Sequence, residues 1–312
     1  MCDWTEADAC GFRHAAVLYR TAEDYAAVML DFIRSGLTAG EPVLVASTAA
    51  HAAGLRAGLD RRGAQVELAD LTAGGANPGR VLSMLRMFAC DHPGRAMRCV
   101  LDQSWPGRPP EEIAEAMRHE RLAAMALAGT GLRLLCAYDS RLDPGLLGAA
   151  ETAHPVVVRD GRWCPSRSFA GRDREAGRDD RLSRPPPSAA RLAFRDDQAA
   201  VRRFVSAEAL RAGLPEHRTR DLVIAAAELA ANTLMHTDGP GTLVMWATTA
   251  EVICQVSDCG RITDPLAGTL RPDPAATTRH RGLWLVHQVG DLVQIRSGPA
   301  GTTVRVHMRL GT

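Results

Sequence analysis

The sequence predicts two domains of different fold class: an α/β domain built on a parallel sheet, followed by an α+β domain that forms a two-layer sandwich. Three observations support this prediction. Through the first half, short β-rich apolar segments alternate with helical ones. In the last third, the strands are grouped in pairs and the longer helices precede them. Between the two lies a stretch rich in Arg and Pro that has no periodicity.

The first domain is predicted to cover residues 1–166, where strand and helix patterns alternate as in a parallel sheet covered by helices. The predicted strands read AAVLY, PVLVAS, VELAD, MRCVLD, LRLLCAYD and PVVV, and the predicted helices cover 25–37, 50–61, 80–91 and 111–128. Ligands of parallel sheets usually bind at the carboxyl ends of the strands. Those ends carry Tyr19, Ser47, Asp102, Ser104, Trp105, Cys136, Tyr138 and Asp139.

Residues 167–190 are predicted to be a linker, because their mixed charges and three consecutive prolines offer neither helical nor strand periodicity. The second domain is predicted to cover residues 191–312. Its strands read RLAFR, GTLVMWATT, EVICQVSD, DLVQIRS and TTVRVHMRL, and its helices cover 197–212, 217–236 and 282–289. Both flanking segments are long enough to bury a core of their own.

The composition excludes several classes of function. Because 37 basic residues are balanced by 36 acidic ones, no overall basic field attracts a nucleic-acid backbone, and we expect no direct binding of nucleic acid. All the basic residues are Arg, since the sequence contains no Lys. A Walker A loop, a protein kinase of the eukaryotic type and a pyridoxal enzyme each require a Lys and are therefore excluded.

The eight Cys residues form no CxxC pair and no Cys/His group at zinc spacing, so we interpret them as reduced, mostly buried thiols. The N-terminus begins polar and acidic rather than as a signal peptide, and no later stretch reaches about 18 apolar residues. The protein is therefore expected to be cytoplasmic, without contact to a membrane.

A polar stripe crosses the long helix of the second domain. Glu228, Asn232 and His236 follow one another at spacings of four and so share one helical face. An Asn oxygen suits Mg²⁺, a hard ion that takes its other ligands from water and phosphates, and a Glu one turn earlier can accept a proton. The alternative is that the stripe is the solvated side of an amphipathic helix.

Three further segments can complete a nucleotide site. Asp258 ends a strand and precedes Gly260, a pattern in which the carboxylate can accept the amine of adenine while the base lies against the backbone. Arg281 and Gly282 begin a short helix, whose N-terminal N–H groups favour phosphate. Gly301, Thr302 and Thr303 begin the last strand. Each segment is equally explained, taken alone, by turn chemistry.

In order, the motifs E-x-x-x-N-x-x-x-H, D-x-G, R-G-L-W-L-V and G-T-T-V resemble the ATPase domain, with the Bergerat fold, shared by histidine kinases and serine-kinase anti-sigma factors. The resemblance implies ATP and Mg²⁺ as cofactors, with Glu228 as catalytic base, Asn232 as metal ligand and Asp258 reading adenine. The residues expected to bind the cofactor are Asn232, Asp258, Gly260, Arg281, Gly282, Leu283, Gly301, Thr302 and Thr303. Two positions depart from the pattern of the family, because Ile262 and His280 stand where glycines are usual.

The first domain resembles the MEDS sensory domain of methanogen and methylotroph regulators. The matching stretches are 14–19, GLTAGEPVLV, DQSW, His119-Glu120, LLCAYD and His154-Pro155. The resemblance implies a RecA-like fold that binds a small molecule, and the segment TAAHAAG lacks the glycines and Lys of a P-loop. The residues expected to form the sensory site are His14, Trp105, Glu120, Cys136, Tyr138 and His154, for which packing in the core is the alternative.

Together these features predict a cytoplasmic signalling regulator, in which a small-molecule effector controls an ATP-dependent serine/threonine kinase of the anti-sigma-factor type. Its protein partner would be an anti-sigma antagonist or a sigma factor, and a homodimer is left open. One alternative is a non-catalytic module that uses ATP to shape a partner surface. A sensor histidine kinase is the other, less favoured because His119-Glu120-Arg121 lies inside the first domain and no dimerising helical hairpin precedes the ATPase domain.

Overall fold

A computed structural model of the chain describes residues 11–72, 77–170, 182–272 and 281–311. The chain divides into two compact units, one made of Met1–Ala73 and Met84–Ala176, the other of Gly74–Ser83 and Gly177–Thr312. Of the predicted linker, residues 171–181 lie outside the described residues. In the parts of the chain that the structure describes, no helix is both long enough and apolar enough to cross a membrane.

The first half of the chain forms a seven-stranded, mostly parallel sheet, as predicted for an α/β domain. The strand order is β3-β2-β4-β5-β1-β6-β7. Among the described strands of this sheet, β6 and β7 are the one antiparallel pair, and the other neighbours are parallel. The strands are β1 Arg13–Tyr19, β2 Val43–Ser47, β3 Val66–Asp70, β4 Ala96–Ser104, β5 Gly131–Asp139, β6 Val156–Arg159 and β7 Arg162–Pro165. The helices are α1 Ala22–Thr38, α2 Ala49–Gly58, α3 Pro78–Asp91, α4 Pro110–Ala126 and α5 Pro144–Ala153, with a 3₁₀ helix at Asp60–Gln65.

Strand β7 and helix α5 of this half were not predicted, whereas β6 matches the predicted strand PVVV. The hairpin that joins β7 to β6 turns at Asp160 and Gly161, both with positive φ, which is the Asp-Gly turn that two-residue hairpins prefer. Helix α5 contains two glycines that weaken its helical pattern, but Asp143 caps it through the N–H of Gly145 and Pro144 occupies its first position. The Asp-Gly turn and the Asp-Pro helix start are both visible in the sequence, but as single positions and not as a periodic pattern.

The two faces of this sheet have different partners. The residues of β1 and β5 that point towards α1 and α2 are apolar and pack with Met29, Ile33 and Leu55. The alternate residues of the same strands, such as Cys136 and Tyr138, point to the opposite face, because side chains alternate along a strand. Strands that are buried on both faces read as continuous apolar runs, which explains LRLLCAY.

The second half forms a five-stranded antiparallel sheet in the order β11-β12-β10-β9-β8, which confirms the predicted α+β sandwich. The strands are β8 Ala190–Phe194, β9 Gly241–Ala247, β10 Glu251–Asp258, β11 Leu292–Gly298 and β12 Gly301–Arg309. The helices are α6 Gln198–Arg211, α7 Glu216–His236 and α8 Gly282–Val289.

Helix α7 is the element that positions the predicted nucleotide residues. Its buried side chains include Leu222, Ala226 and Leu229, which recur at helical spacing and face the sheet. At its N-terminal end, Arg218 forms an ion pair with Asp291 at 2.7 Å and also donates to the carbonyl of Val289. The helix is therefore fixed at its buried face and its start, which leaves the Glu228 side to form a site.

Candidate functional site

Glu228 and Asn232 lie side by side against the start of α8. Both are half-buried, whereas His236, the third residue of the predicted stripe, is exposed. A Cβ added to Gly282 would lie 3.0 Å from Oε2 of Glu228 and 3.3 Å from both Oδ1 and Nδ2 of Asn232. A side chain at position 282 would therefore require these two polar groups to shift by a few tenths of an ångström, which glycine avoids.

Asp258 lies at the end of β10, where its carboxylate holds the following turn. Oδ1 accepts a hydrogen bond from the N–H of Gly260 at 2.8 Å, and Oδ2 accepts one from the hydroxyl of Thr233 at 2.7 Å. Because an ionised carboxylate has about four acceptor positions, two of them are available to a further donor. Asp258 is half-buried and thus accessible to a ligand.

The start of β12 packs against the same turn, which follows Asp258. Gly301 has φ of 120°, and a Cβ there would lie 2.1 Å from the carbonyl oxygen of Asp258, so only glycine fits. Thr302 is buried and donates to the carbonyl of Gly260 at 2.8 Å, while its hydroxyl also contacts that of Ser297 at 2.7 Å. The Thr303 hydroxyl contacts that of Ser257 at 3.1 Å. Thr302 therefore holds the backbone of the turn, whereas Thr303 contacts a side chain of β10.

The first turn of α8 is the segment that the sequence predicts to bind phosphate. Gly282 is buried and Arg281 is exposed, and the side chain of Arg281 forms no capping hydrogen bond with the helix. Gly268, with φ of 77°, packs against Leu283 in the first turn of α8. Unpaired N–H groups in the first turn of a helix favour anions. His280 lies outside the described residues.

The sequence did not identify two residues that support this site. Thr233 bonds the Asp258 carboxylate, and Ser297 accepts a hydrogen bond from the N–H of Ile262 at 2.8 Å. Thr233 directly follows Asn232 but is buried and lies outside the polar stripe, so the spacing of four gave no signal for it. Ser297 had no signal either, because its partners Ile262 and Thr302 come from other segments.

In the first unit, five of the six predicted sensory residues meet on one face of the sheet, around Glu120. Its Oε2 accepts a hydrogen bond from the hydroxyl of Tyr138, and its Oε1 accepts one from Nε2 of Gln103 at 2.8 Å. The rings of His14 and His154 are 4.6 Å apart. The members of this buried cluster are His14, Glu120, Cys136, Tyr138 and His154.

Burial changes the acid–base behaviour of this cluster. It lowers the pKa of His154, so the imidazole is neutral near pH 7. It raises the pKa of the Cys136 thiol and of the Tyr138 hydroxyl, and the charge of Glu120 raises both further. The sheet face on which these groups lie is therefore a dry environment, poorly suited to a charged small molecule.

Trp105, the sixth predicted residue, does not join this cluster. It lines a separate cavity of about 260 Å³ at the carboxyl ends of the strands, on the α1 side. The side chains around the cavity include Tyr19, Arg20, Thr48, His51, Asp139 and Arg141. The expectation that Trp105 and Cys136 form one ligand site needs correction, because Cys136 points to the opposite face of the sheet.

A short hydrogen bond lies beside this cavity. Nδ1 of His51 is 2.5 Å from Oδ2 of the fully buried Asp102, and this contact raises the pKa of His51. Burial raises the pKa of Asp102 itself. Arg141 forms an ion pair with Asp139 at 2.6 Å, which lowers the pKa of that carboxyl. The cavity thus combines charged and aromatic groups, as sites for small ligands do.

The position of His119 argues against phosphoacceptor chemistry. It lies within α4 and is buried, and its Nδ1 contacts the carbonyl of Glu115 at 2.9 Å. A histidine that receives a phosphoryl group must be accessible to another domain. The sequence motif His119-Glu120-Arg121 is therefore part of the core helix of the first unit.

Two family models match the chain. Residues 13–155 match MEDS, the MEthanogen/methylotroph, DcmR Sensory domain, and residues 192–308 match the histidine kinase-like ATPase domain. Both resemblances and their order along the chain are thereby confirmed. A search of the curated proteins finds no match. One matching solved structure, the "ATPase Domain of G40P", has a TM-score of 0.34 and 12% sequence identity, and the match covers 49% of this chain and 70% of that chain.

Proposed function

We propose that this chain, which joins a MEDS domain to a histidine kinase-like ATPase domain, is a signalling regulator that binds Mg-ATP and phosphorylates a protein partner on Ser or Thr. A sensory domain combined with a kinase-like ATPase domain is the organisation of a regulator. The anti-sigma-factor type of kinase fits best, with an anti-sigma antagonist or a sigma factor as the partner.

The observation that carries the proposal is the meeting of Glu228, Asn232 and Gly282. A proton acceptor and a neutral oxygen ligand lie beside the start of a helix, since a Cβ added to Gly282 would be 3.0 Å from Glu228 Oε2 and 3.3 Å from Asn232 Oδ1. These are the groups needed to accept the proton of an attacking hydroxyl, to hold Mg²⁺ and to bind phosphate oxygens. No pair of them alone would favour phosphotransfer over simple binding.

The site residues can be assigned to the adenine and to the phosphates of ATP. Asp258 has acceptor positions left for the exocyclic amine of adenine, and Gly260 lets the turn after Asp258 lie close to Thr237, whose methyl carbon would be 2.7 Å from a Cβ at Gly260. Asn232 would hold Mg²⁺, which supplies charge neutralisation for the phosphates. Glu228 would orient the incoming hydroxyl and take its proton, a contribution of about 10²- to 10⁴-fold in rate.

Two variants test binding and catalysis separately. Asp258→Ala should abolish the stabilisation of the full chain by Mg-ATP, which amounts to about 2.7 kcal/mol at 100 times the dissociation constant. Glu228→Gln should keep that stabilisation and lose transfer of labelled γ-phosphate to Ser or Thr in protein captured from the native cell. Labelling that is unchanged in Glu228→Gln would exclude this residue as the base.

A non-catalytic, ATP-dependent binding module is the second candidate, and Ile262 is the observation that favours it. Where related domains have a glycine, this chain has Ile262, whose β-branched side chain restricts the backbone. The backbone N–H of Ile262 also donates to the hydroxyl of Ser297. A stiffer turn would hinder closure over the phosphates. In that case the wild type binds its partner with Mg-ATP but transfers no phosphate, and Glu228→Gln binds the partner equally well.

The cavity beside Trp105 is the proposed effector site. Its volume of about 260 Å³ suits a small molecule, and its mixture of Trp105, Tyr19 and the Asp139–Arg141 pair suits mixed polarity. In a metabolite screen by thermal shift, Trp105→Ala should abolish the response to any hit. A response that persists in Trp105→Ala but disappears in Cys136→Ala would move the site to the buried cluster.

A further inference from the structure

Three potential metal ligands of different chemistry meet in the interior of the MEDS domain. A carboxylate oxygen of Glu120, the Sγ of Cys136 and a ring nitrogen of His154 all lie within 4.8 Å of one another, and all three residues are buried. We infer that these residues bind one divalent transition-metal ion of the zinc class. This site is separate from the proposed Mg²⁺ position at Asn232 and from the cavity beside Trp105.

The orientation of the His154 ring is the first argument. Its Nδ1 lies 2.8 Å from the carbonyl of Ala150, which can only accept, so Nδ1 carries the proton. Nε2 therefore has a lone pair, is buried, has no hydrogen-bond partner and lies 3.8 Å from Oε2 of Glu120. A lone pair that faces a carboxylate oxygen in a dry interior is unfavourable unless a proton or a metal cation lies between them, and a metal cation would satisfy both groups together with the neighbouring Cys136.

The hydrogen bonds around the ligands are those of an outer coordination sphere. A metal-bound histidine usually donates its other N–H to a carbonyl, as His154 does to Ala150, and a metal-bound carboxylate is itself hydrogen-bonded. Glu120 accepts from Gln103 and from the hydroxyl of Tyr138. These contacts fix the ring and the carboxylate before any ion binds, which lowers the entropy lost on coordination.

Distance and charge both suit a zinc-class ion. Oxygen and nitrogen ligands about 2 Å from tetrahedral Zn²⁺ lie about 3.3 Å apart, so the 3.8 Å between Oε2 and Nε2 needs only a small movement. Cys136 is a thiol in the metal-free chain, and binding of the ion would release its proton to solvent. The resulting thiolate and the carboxylate carry two negative charges, which a divalent cation neutralises inside the core. A sulfur and an imidazole nitrogen select against Mg²⁺ and Ca²⁺.

The ligands come from three different elements, which gives the ion a structural consequence. Glu120 lies in α4, Cys136 in β5, and His154 directly follows α5. A bound ion would tie these elements together, and its binding energy would add to the stability of the domain. Three protein ligands leave one position of a tetrahedral set for a further ligand.

The test uses the full chain, produced in medium supplemented with Zn²⁺ or Co²⁺ and purified without chelators. We expect one ion per chain by elemental analysis, and a thiolate-to-cobalt charge-transfer band in the Co²⁺ form. Cys136→Ser should remove the band, and His154→Gln and Glu120→Gln should each lower the retained metal at least about tenfold. Cys254→Ser is the matched control, because Cys254 is an equally buried cysteine in the other unit.

Several outcomes would overturn the inference. Wild-type chain that carries no stoichiometric metal after either growth would do so, as would a cobalt spectrum without a thiolate band. Metal that is retained in Cys136→Ser and lost in Cys254→Ser would place the ion elsewhere. If the Cys136→Ser chain fails to fold by circular dichroism, the stoichiometry and spectrum of the wild type still decide, since neither depends on a variant.

Discussion

Adding a single methyl group at Gly282 tests whether the proposed nucleotide site depends on the close approach of α8 to α7. In Gly282→Ala, the new Cβ would lie 3.0 Å from Oε2 of Glu228 and 3.3 Å from the amide of Asn232. Ordinary contacts of this kind begin at about 3.4 Å. The two side chains must therefore move away from the start of α8 by a few tenths of an ångström.

The fold should tolerate this change, while the site should not. Glu228 Oε2 is the end of a flexible side chain, and Ala is about 1 kcal/mol better than Gly within a helix, so stability should change by less than about 1 kcal/mol. Displaced ligands cost far more in function, because a misplacement of about 1 Å can lower a rate about 10²-fold. We expect weaker Mg-ATP binding and phosphotransfer reduced by about tenfold or more.

The assay compares thermal unfolding with and without Mg-ATP, and γ-phosphate transfer, in the wild type and the variant. Gly54→Ala is the matched control, because Gly54 also lies in a helix and a Cβ there meets nothing within 4 Å. Combining Gly282→Ala with Glu228→Gln in a double-mutant cycle should show coupling, since the two residues touch. Unchanged ATP affinity and rate in Gly282→Ala would refute the idea that these groups act as one site.

Three further predictions concern the metal position, the fold and the sensory cavity. Asn232→Asp should change ATP affinity measured with Mg²⁺ more than affinity measured without it, and equal changes by calorimetry would assign Asn232 to packing. Asp291→Ala should lower the free energy of unfolding by about 1.5 kcal/mol in denaturant titrations, because Arg218 loses its closest carboxylate but keeps that of Asp221 at 3.0 Å. The contact with Asp102 raises the pKa of His51 above its value in the unfolded chain. The stability that this contact adds to the fold is therefore complete below about pH 6.5 and is lost as pH rises through the folded pKa of His51. Asp102→Asn should remove this pH dependence and lower the pKa of His51 in an NMR titration, since burial then dominates; an unshifted titration would show that the pair is not coupled.

The elements of the ATPase domain and several parts of its site were readable from the sequence. The long helix, the strand that ends at Asp258 and the short helix at Gly282 all have the predicted positions, because apolar periodicity and helix starts are local properties. The spacing of four between Glu228 and Asn232 placed them on one face of α7 without reference to any other element. The alternation of strands and helices likewise predicted the parallel sheet of the first half.

Contacts between distant segments were decided by the tertiary structure. Thr233 and Asp258 are joined by a hydrogen bond across 25 positions of sequence, and the glycine of α8 meets the polar face of α7 across 50 or more. No local pattern encodes which helix start will lie against which helix face. The turn after Asp258 is likewise held only once β10 and β12 are neighbours, because Thr302 of β12 donates to the carbonyl of Gly260.

The sensory residues show the same division most clearly. The sequence by itself determined that Trp105, Cys136 and Tyr138 lie near the carboxyl ends of strands, because strand boundaries are set by local composition. Only the tertiary structure separated Trp105, in an open cavity, from Cys136, beside Glu120 and His154. The physical reason is that alternate residues of a buried strand face opposite sides, and when both sides are apolar, nothing in the sequence says which helix covers each.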